Sequence, residues 1–213
     1  MALSALRGSR LVTAVHINVL QTADALVQVA ADRFVALATD SIRECGRFHV
    51  ALSGGTTPRS LYAMLATDRY AARVDWSRVH VCWGDERCVP PAGPPMRGAG
   101  FDLVLLGMGT DGHTASLFPW STAISEPERW AMPAYVADVS TSRVTCTPVL
   151  FNMAAAVVFL VVGSGKAATL REVLEGPHQP LRLPAQAIAP RDGSVSWLLD
   201  ADAAAHLTLA GYP

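Results

Sequence analysis

The apolar run Phe101-Asp102-Leu103-Val104-Leu105-Leu106 opens without a break into Gly107-Met108-Gly109-Thr110-Asp111-Gly112-His113. A continuous apolar run stopped by glycine is the pattern of a strand buried on both faces, as in the middle of a parallel sheet. Sheets of that kind present their polar groups beyond the carboxyl ends of the strands. Here the turn presents one Asp and one His. Glycine lets backbone amides approach a ligand closely, and a histidine exchanges a proton near neutral pH. Acyl or sugar-phosphate chemistry needs that combination at such a strand end.

The rest of the chain repeats the theme. Leu26, Val29, Ala30, Phe34, Leu37, Ala38 and Ile42 recur at helical steps within Thr22–Cys45, with Thr22 as the N-cap and Gly46 as the stop. Strands are predicted at Phe48–Leu52, Val79–Trp83, Phe101–Leu106, Arg143–Thr145, Val157–Val162 and Val195–Leu199. Further helices are predicted from Pro58, from Thr147-Pro148 through Ala155, over Lys166–Leu174, and after a capping Asp200. Alternation of strand and helix predicts the α/β class: a three-layer αβα arrangement, with a mostly parallel, Rossmann-like sheet and helices on both faces. One domain is expected over 1–213. The stretch Pro90 to Gly100, rich in Pro and Gly, has no helical period. Parallel neighbours need a crossover of about a dozen residues or more. A missing crossover segment is therefore expected within 91–100.

Charge and composition exclude several classes. Seventeen Lys and Arg balance eighteen Asp and Glu, for a net charge of −1, and the cations form no run. No nucleic-acid surface is expected. The apolar stretch Ala154 to Val162 is about half of what spans a bilayer, so no membrane partner is expected either. No apolar signal segment follows Arg7 and Arg10, which points to a cytoplasmic location. Cys45, Cys82, Cys88 and Cys146 contain no CxxC pair and read as thiols rather than a zinc site. No metal and no cofactor are expected.

Four predicted strand ends carry polar loops: Ser53-Gly54-Gly55-Thr56, Gly84-Asp85-Glu86-Arg87, the Gly107–His113 turn, and Gly163-Ser164-Gly165-Lys166. Ser53-Gly-Gly-Thr before a helix start is either an anion cradle or structural punctuation. Gly107-x-Gly109-x-x-Gly112 matches a dinucleotide fingerprint, but no acceptor acid on a second strand follows about 20 residues later. Arg87 reads either as a surface ion pair with Glu86 or Asp85 or as an anion ligand. Lys166 reads as a solvated residue or, because a cation near a helix N-terminus is unfavourable, as one facing a phosphate. His113 is either a proton acceptor or a loop histidine bonded to backbone. His16, His49, His80, His178 and His206 are expected to be structural or exposed.

Taken together, Ser53-Gly-Gly-Thr-Thr-Pro58, Trp83-Gly-Asp-Glu-Arg-Cys-Val-Pro90, Gly107–Pro119, Arg143-Val-Thr145, Gly163-Ser-Gly-Lys166 and Leu183-Pro-Ala-Gln186 resemble the 6-phosphogluconolactonases, within the glucosamine-6-phosphate isomerase superfamily. The resemblance implies hydrolysis of 6-phospho-D-glucono-1,5-lactone to 6-phosphogluconate, in the oxidative pentose phosphate pathway. It implies His113 as general base and Asp111 as its orienter or a contact to sugar hydroxyls. Arg87 and Lys166 would hold the 6-phosphate, with Ser53 and the Gly54 and Gly55 amides beside them. Asp85 and Arg143 would assist in binding, and amides of Gly107, Gly109 and Gly112 would face the oxyanion. The partner is then a small sugar-phosphate lactone, on a monomer or weak homo-oligomer.

The chain departs from this pattern after Pro90, where the family continues with a His, a Ser-Asn-Tyr group and a helix. Pro91 here leads almost directly to Phe101. Glucosamine-6-phosphate deaminases share the Gly-x-Gly-x-Asp-Gly-His turn but continue through Asn-Glu-Pro, where this chain has Leu117-Phe118-Pro119. Phe118 cannot supply their carboxylate. A catalytically inactive sugar-phosphate binder and, less favoured, an amino-sugar-6-phosphate deaminase remain as alternatives.

Overall fold

The computed structural model describes residues 14–87, 100–136 and 141–208. Six parallel strands form the main sheet: β1 (Ala14–Leu20), β2 (Phe48–Leu52), β3 (Val79–Trp83), β5 (Leu103–Leu106), β8 (Ala156–Val161) and β9 (Ser194–Asp200). They lie in the order β1-β9-β8-β5-β2-β3. Three further strands, β4 (Asp85–Arg87), β6 (Ala131–Val136) and β7 (Thr141–Cys146), form a small antiparallel sheet in the order β4-β7-β6.

The sheet is buried on both faces at its centre. In β5, Leu103 and Leu105 join one apolar cluster while Val104 and Leu106 join the other. In β8, Ala156, Val158 and Leu160 face the first cluster, and Val157, Phe159 and Val161 the second. This explains why both strands are uniformly apolar rather than alternating. Helices α1 (Ala23–Cys45) and α2 (Thr56–Leu65), the latter followed by the short α3 (Asp68–Ala71), bury Leu26, Phe34, Leu61 and Leu65 on one face. Helix α5 (Ala167–Glu175) buries Leu170 and Val173 on the other. The chain advances from β1 through β2 to the β3 edge, then returns through β5, β8 and β9. Right-handed crossovers put helices on opposite faces for opposite directions of travel, which is the three-layer arrangement expected. Among the described residues, no helix is long and apolar enough to cross a membrane.

Several local expectations hold. Thr22 caps α1 by accepting from the Ala25 amide at 3.1 Å, and Gly46 ends it in the left-handed region at φ 74. Others are corrected. Helix α2 begins at Thr56 with Gly55 as its N-cap, so Pro58 is not its first residue. The helix α4 spans only Pro148–Phe151, and the chain then turns directly into β8. After Asp200 the chain makes turns, not a helix. Strands β1, β4 and β6 were not anticipated, because Asp85-Glu86-Arg87 is fully charged and Pro133 interrupts β6. A proline lacks a ladder donor, so it hides a strand from a pattern reading. The expected missing crossover within 91–100 lies outside the described residues.

Phe159 and Trp197 stack across β8 and β9, with ring centroids 3.9 Å apart and planes 4° from parallel. Phe159 is fully buried. Phe159→Ala should cost about 3–5 kcal/mol of unfolding free energy, measured by denaturant titration.

Candidate active site

A cleft of about 710 Å³ opens where the chain reverses its direction across the sheet. Strands β2 and β5 are neighbours there, yet their continuations leave toward opposite edges. Such a switch point splays the following loops apart and leaves a crevice at the carboxyl ends of the strands. Each of the four strand ends sends residues to it: Ser53, Gly54, Gly55 and Thr56 after β2; Trp83 at the end of β3 and Asp85 at the start of β4; Gly107, Gly109, Thr110 and His113 after β5; and Lys166 after β8. Arg143 enters from β7 of the small sheet.

The His turn is built around a missing Cβ. A Cβ on Gly109 would lie 2.1 Å from His113 Nδ1 and 2.7 Å from Asp111 Oδ1. Only glycine lets the imidazole lie against the chain there. Asp111 Oδ1 accepts from the His113 backbone amide at 3.1 Å and meets ring Nδ1 at 2.6 Å. Burial by itself would push the Asp111 carboxyl up. The hydrogen bonds from the His113 amide and ring outweigh it and hold the group below the ordinary carboxylate range. A carboxylate only accepts, so Nδ1 carries a hydrogen and Nε2 holds the lone pair of the neutral ring. Phe118 packs against the far side of the imidazole, with ring centroids 4.7 Å apart.

Neighbouring elements clamp this turn. Thr114 Oγ1 donates to the Gly107 carbonyl at 2.8 Å, and Thr169 Oγ1 of α5 donates to the Thr110 carbonyl at 2.6 Å. The Ala185 amide donates to the Gly112 carbonyl at 3.0 Å, and Leu183 sits where a Gly112 Cβ would go, 2.8 Å from its Cδ2. The motif Leu183-Pro-Ala-Gln186 thus supports the turn from behind. Gln186 in turn donates to the carbonyls of Val173 at 3.1 Å and Pro177 at 3.2 Å.

The turn's amides do not match expectation. The Gly109 amide donates to the His113 carbonyl at 2.9 Å and the Gly112 amide to the Gly109 carbonyl at 3.1 Å. Both hydrogens are engaged within the turn, so neither amide is placed as an oxyanion donor. Gly107 remains at the mouth, with nothing within 4 Å of where its Cβ would be.

Asp85 and Arg143 are joined through a residue the sequence did not single out. Ser116 is fully buried; its hydroxyl donates to Asp85 Oδ2 at 2.6 Å and its amide donates to Thr145 Oγ1 at 3.2 Å. Arg143 Nη1 lies 3.7 Å from Asp85 Oδ2 and 3.5 Å from Ser116 Oγ. This network ties the small sheet to the His turn. Asp85 therefore faces Arg143 and Ser116. Arg143 Nε is buried without a partner among the described residues. Arg87 pairs with Arg143 in the register of β4 and β7; its side chain lies outside the described residues.

On the opposite wall, no side chain caps the N-terminus of α2, and Gly55 holds φ 112, a conformation suited to glycine. Ser53 is buried and its hydroxyl has no partner among the described residues. Uncapped helix amides with a buried hydroxyl beside them suit an anion. Lys166 is half-buried, and burial lowers its amine from the usual lysine range while Asp200 acts the other way. Among the described residues no group of three or more His, Cys, Asp or Glu could hold a metal ion.

The acid range gives a check on the Asp111–His113 pair. A carboxyl held below its ordinary value stabilises the fold above that value and loses this contribution as pH falls through the folded value. Below about pH 4, the unfolding temperature of the wild type should therefore fall more steeply than that of Asp111→Asn.

Comparison with known proteins agrees with this geometry. The family model described as glucosamine-6-phosphate isomerases/6-phosphogluconolactonase matches residues 21–97 and 94–197. A 6-phosphogluconolactonase of Synechocystis sp. is 32% identical, over 90% of this chain and 98% of its own length. One of Nostoc sp. is 30% identical, over 91% of this chain and 98% of its own. The solved structure of a devB protein superposes with a TM-score of 0.78 at 30% identity, covering 90% of this chain and 98% of that one. A monomeric glucosamine-6-phosphate deaminase, 18% identical with a TM-score of 0.70, shares the fold. The chain belongs to the glucosamine-6-phosphate isomerase/6-phosphogluconolactonase family.

Proposed function

We propose that the protein hydrolyses 6-phospho-D-glucono-1,5-lactone to 6-phosphogluconate. The observation that carries the reading is the imidazole of His113, bonded to Asp111 on one nitrogen and backed by the Phe118 ring. A deaminase of this fold needs a carboxylate where Phe118 stands. An apolar ring against the base supplies no second proton carrier, while ester hydrolysis needs none.

In this reading a water lies between His113 Nε2 and the lactone C1 carbonyl. His113 takes the water proton as the oxygen attacks C1, and the carbonyl oxygen becomes an oxyanion. Collapse breaks the bond between C1 and the ring oxygen, and the imidazolium returns its proton to that oxygen. Asp111 holds the ring and stabilises the imidazolium while it exists. The 6-phosphate is assigned to Lys166, the Gly54 and Gly55 side of the α2 N-terminus, Ser53 and Arg87. Arg suits two-point contact with phosphate and Lys a point charge. Asp85 fixes Arg143 toward the cleft, and Arg143 meets substrate oxygen. The oxyanion falls to the Gly107 side of the turn. The enzyme is proposed to act in the cytoplasm as a monomer or weak homo-oligomer; its nearly balanced charge of −1 favours neither nucleic acid nor an anionic lipid surface.

His113→Ala should lower kcat for the lactone about 10²–10⁴-fold, followed by proton release above the spontaneous rate, with product affinity retained. Equal rates in variant and wild type would remove the base assignment, and absence of activity in both would favour a sugar-phosphate binder. Gly109→Ala should approach the same loss in kcat, because the imidazole must leave its place. Lys166→Ala should raise KM with little change in kcat, since a phosphate contact is nearly uniform between ground and transition states.

A further inference from the structure

Of the seventeen Lys and Arg residues in the chain, Lys166 is the only lysine. It stands at the end of a 3-10 turn, Ser164–Lys166, between β8 and α5. The turn begins at Gly163, whose φ of 96 disfavours any side chain. The Gly163 carbonyl accepts the Lys166 amide at 3.2 Å, so the position of Gly163 sets that of the lysine.

Gly163 is itself held by a buried carboxylate. Asp200, the last residue of β9, accepts the Gly163 amide on Oδ1 at 3.0 Å and on Oδ2 at 3.2 Å. Its Oδ1 also accepts the Ala203 amide at 2.8 Å. Asp200 is only 6% exposed and does not line the cleft. The Gly163 and Ala203 amides together hold the carboxylate in one orientation.

We propose that Asp200 is the positioning residue of the phosphate site: it fixes the Gly163 turn that carries Lys166 and places a counter-charge beneath that turn. The proposal rests on the reading that Lys166 holds the 6-phosphate. Among the described residues, the other acidic groups at the cleft face other partners. Asp85 faces Arg143 at 3.7 Å and His113 is held by Asp111 at 2.6 Å. Asp200 is thus the carboxylate left to serve the lysine among the described residues. Burial lowers the Lys166 amine and Asp200 opposes that, so removing the carboxylate charge moves the amine lower still.

The test is Asp200→Asn. The amide oxygen can keep the two bonds of Oδ1, at 3.0 and 2.8 Å, and the variant loses the charge and the weakest bond. A sole lysine makes the readout direct: reductive methylation with isotope-labelled formaldehyde gives one side-chain amine signal to follow by NMR against pH. In Asp200→Asn that signal should titrate at lower pH than in the wild type. KM for the lactone should rise about three- to tenfold on the alkaline side and less near neutrality, with kcat within about twofold. Lys166→Arg, which stays charged throughout, should lose the alkaline rise in KM, and adding Asp200→Asn to it should not restore the rise. Should Asp200→Asn fail to fold, Asp200→Ser, also uncharged and still an acceptor, gives the same comparison. Unchanged lysine titration, or a KM rise equal at every pH, would overturn the counter-charge role. If instead Lys166→Ala leaves KM unchanged, the phosphate assignment fails, while the titration difference still reports on Asp200.

Discussion

Burial of β5 and β8 on both faces constrains everything else in the molecule. Their side chains fill the two apolar clusters above and below the sheet. No polar chemistry fits along such strands, because an unpaired polar group there would lose its water without replacement. Polar groups are therefore confined to the strand ends. Reversal of the chain between β2 and β5 then opens a crevice at one edge of the sheet, and the strand-end loops converge on it.

Within that crevice, geometry is held by backbone more than by side-chain partners. The His113 ring occupies space that any Cβ at 109 would need. Thr169, Ala185 and Leu183 then hold the turn from helix α5 and the segment behind it. A pre-set imidazole loses little entropy on meeting substrate, which is where positioned catalytic groups gain most. Behind the other wall the buried Asp200 holds the Gly163 turn that leads to Lys166. The His113 ring and the turn that carries Lys166 are each held by a carboxylate, one beside the ring and one beneath the turn.

The sequence was legible where local rules act. Helix α1 with its Thr22 cap, and the apolar strands β2, β3, β5, β8 and β9, follow from periodicity and capping, within a few residues at their ends. Of the small sheet only β7 was legible, over Arg143–Thr145; β4 and β6 were not. Its strands carry Asp85-Glu86-Arg87 and Pro133, and their pairing joins segments far apart in the chain. Ser116 gave no signal for the same reason: its partners Asp85 and Thr145 come from that sheet. The glycine pattern alone suggests the Gly109 and Gly112 amides as donors to an oxyanion. A motif shows that amides can approach a ligand, not which carbonyl has already claimed their hydrogens.

The order of residues along the chain determined the fold class, the polar strand ends and the turn that pairs Asp111 with His113, because apolar period, glycine placement and Asp-x-His spacing are all short-range properties. Tertiary structure decided which groups meet. It placed Phe118 on the imidazole, Arg143 opposite Asp85, and Asp200 under the Gly163 turn. Those contacts span strands that become neighbours only when both faces of the sheet are covered, and no local pattern encodes which loop will stand beside which.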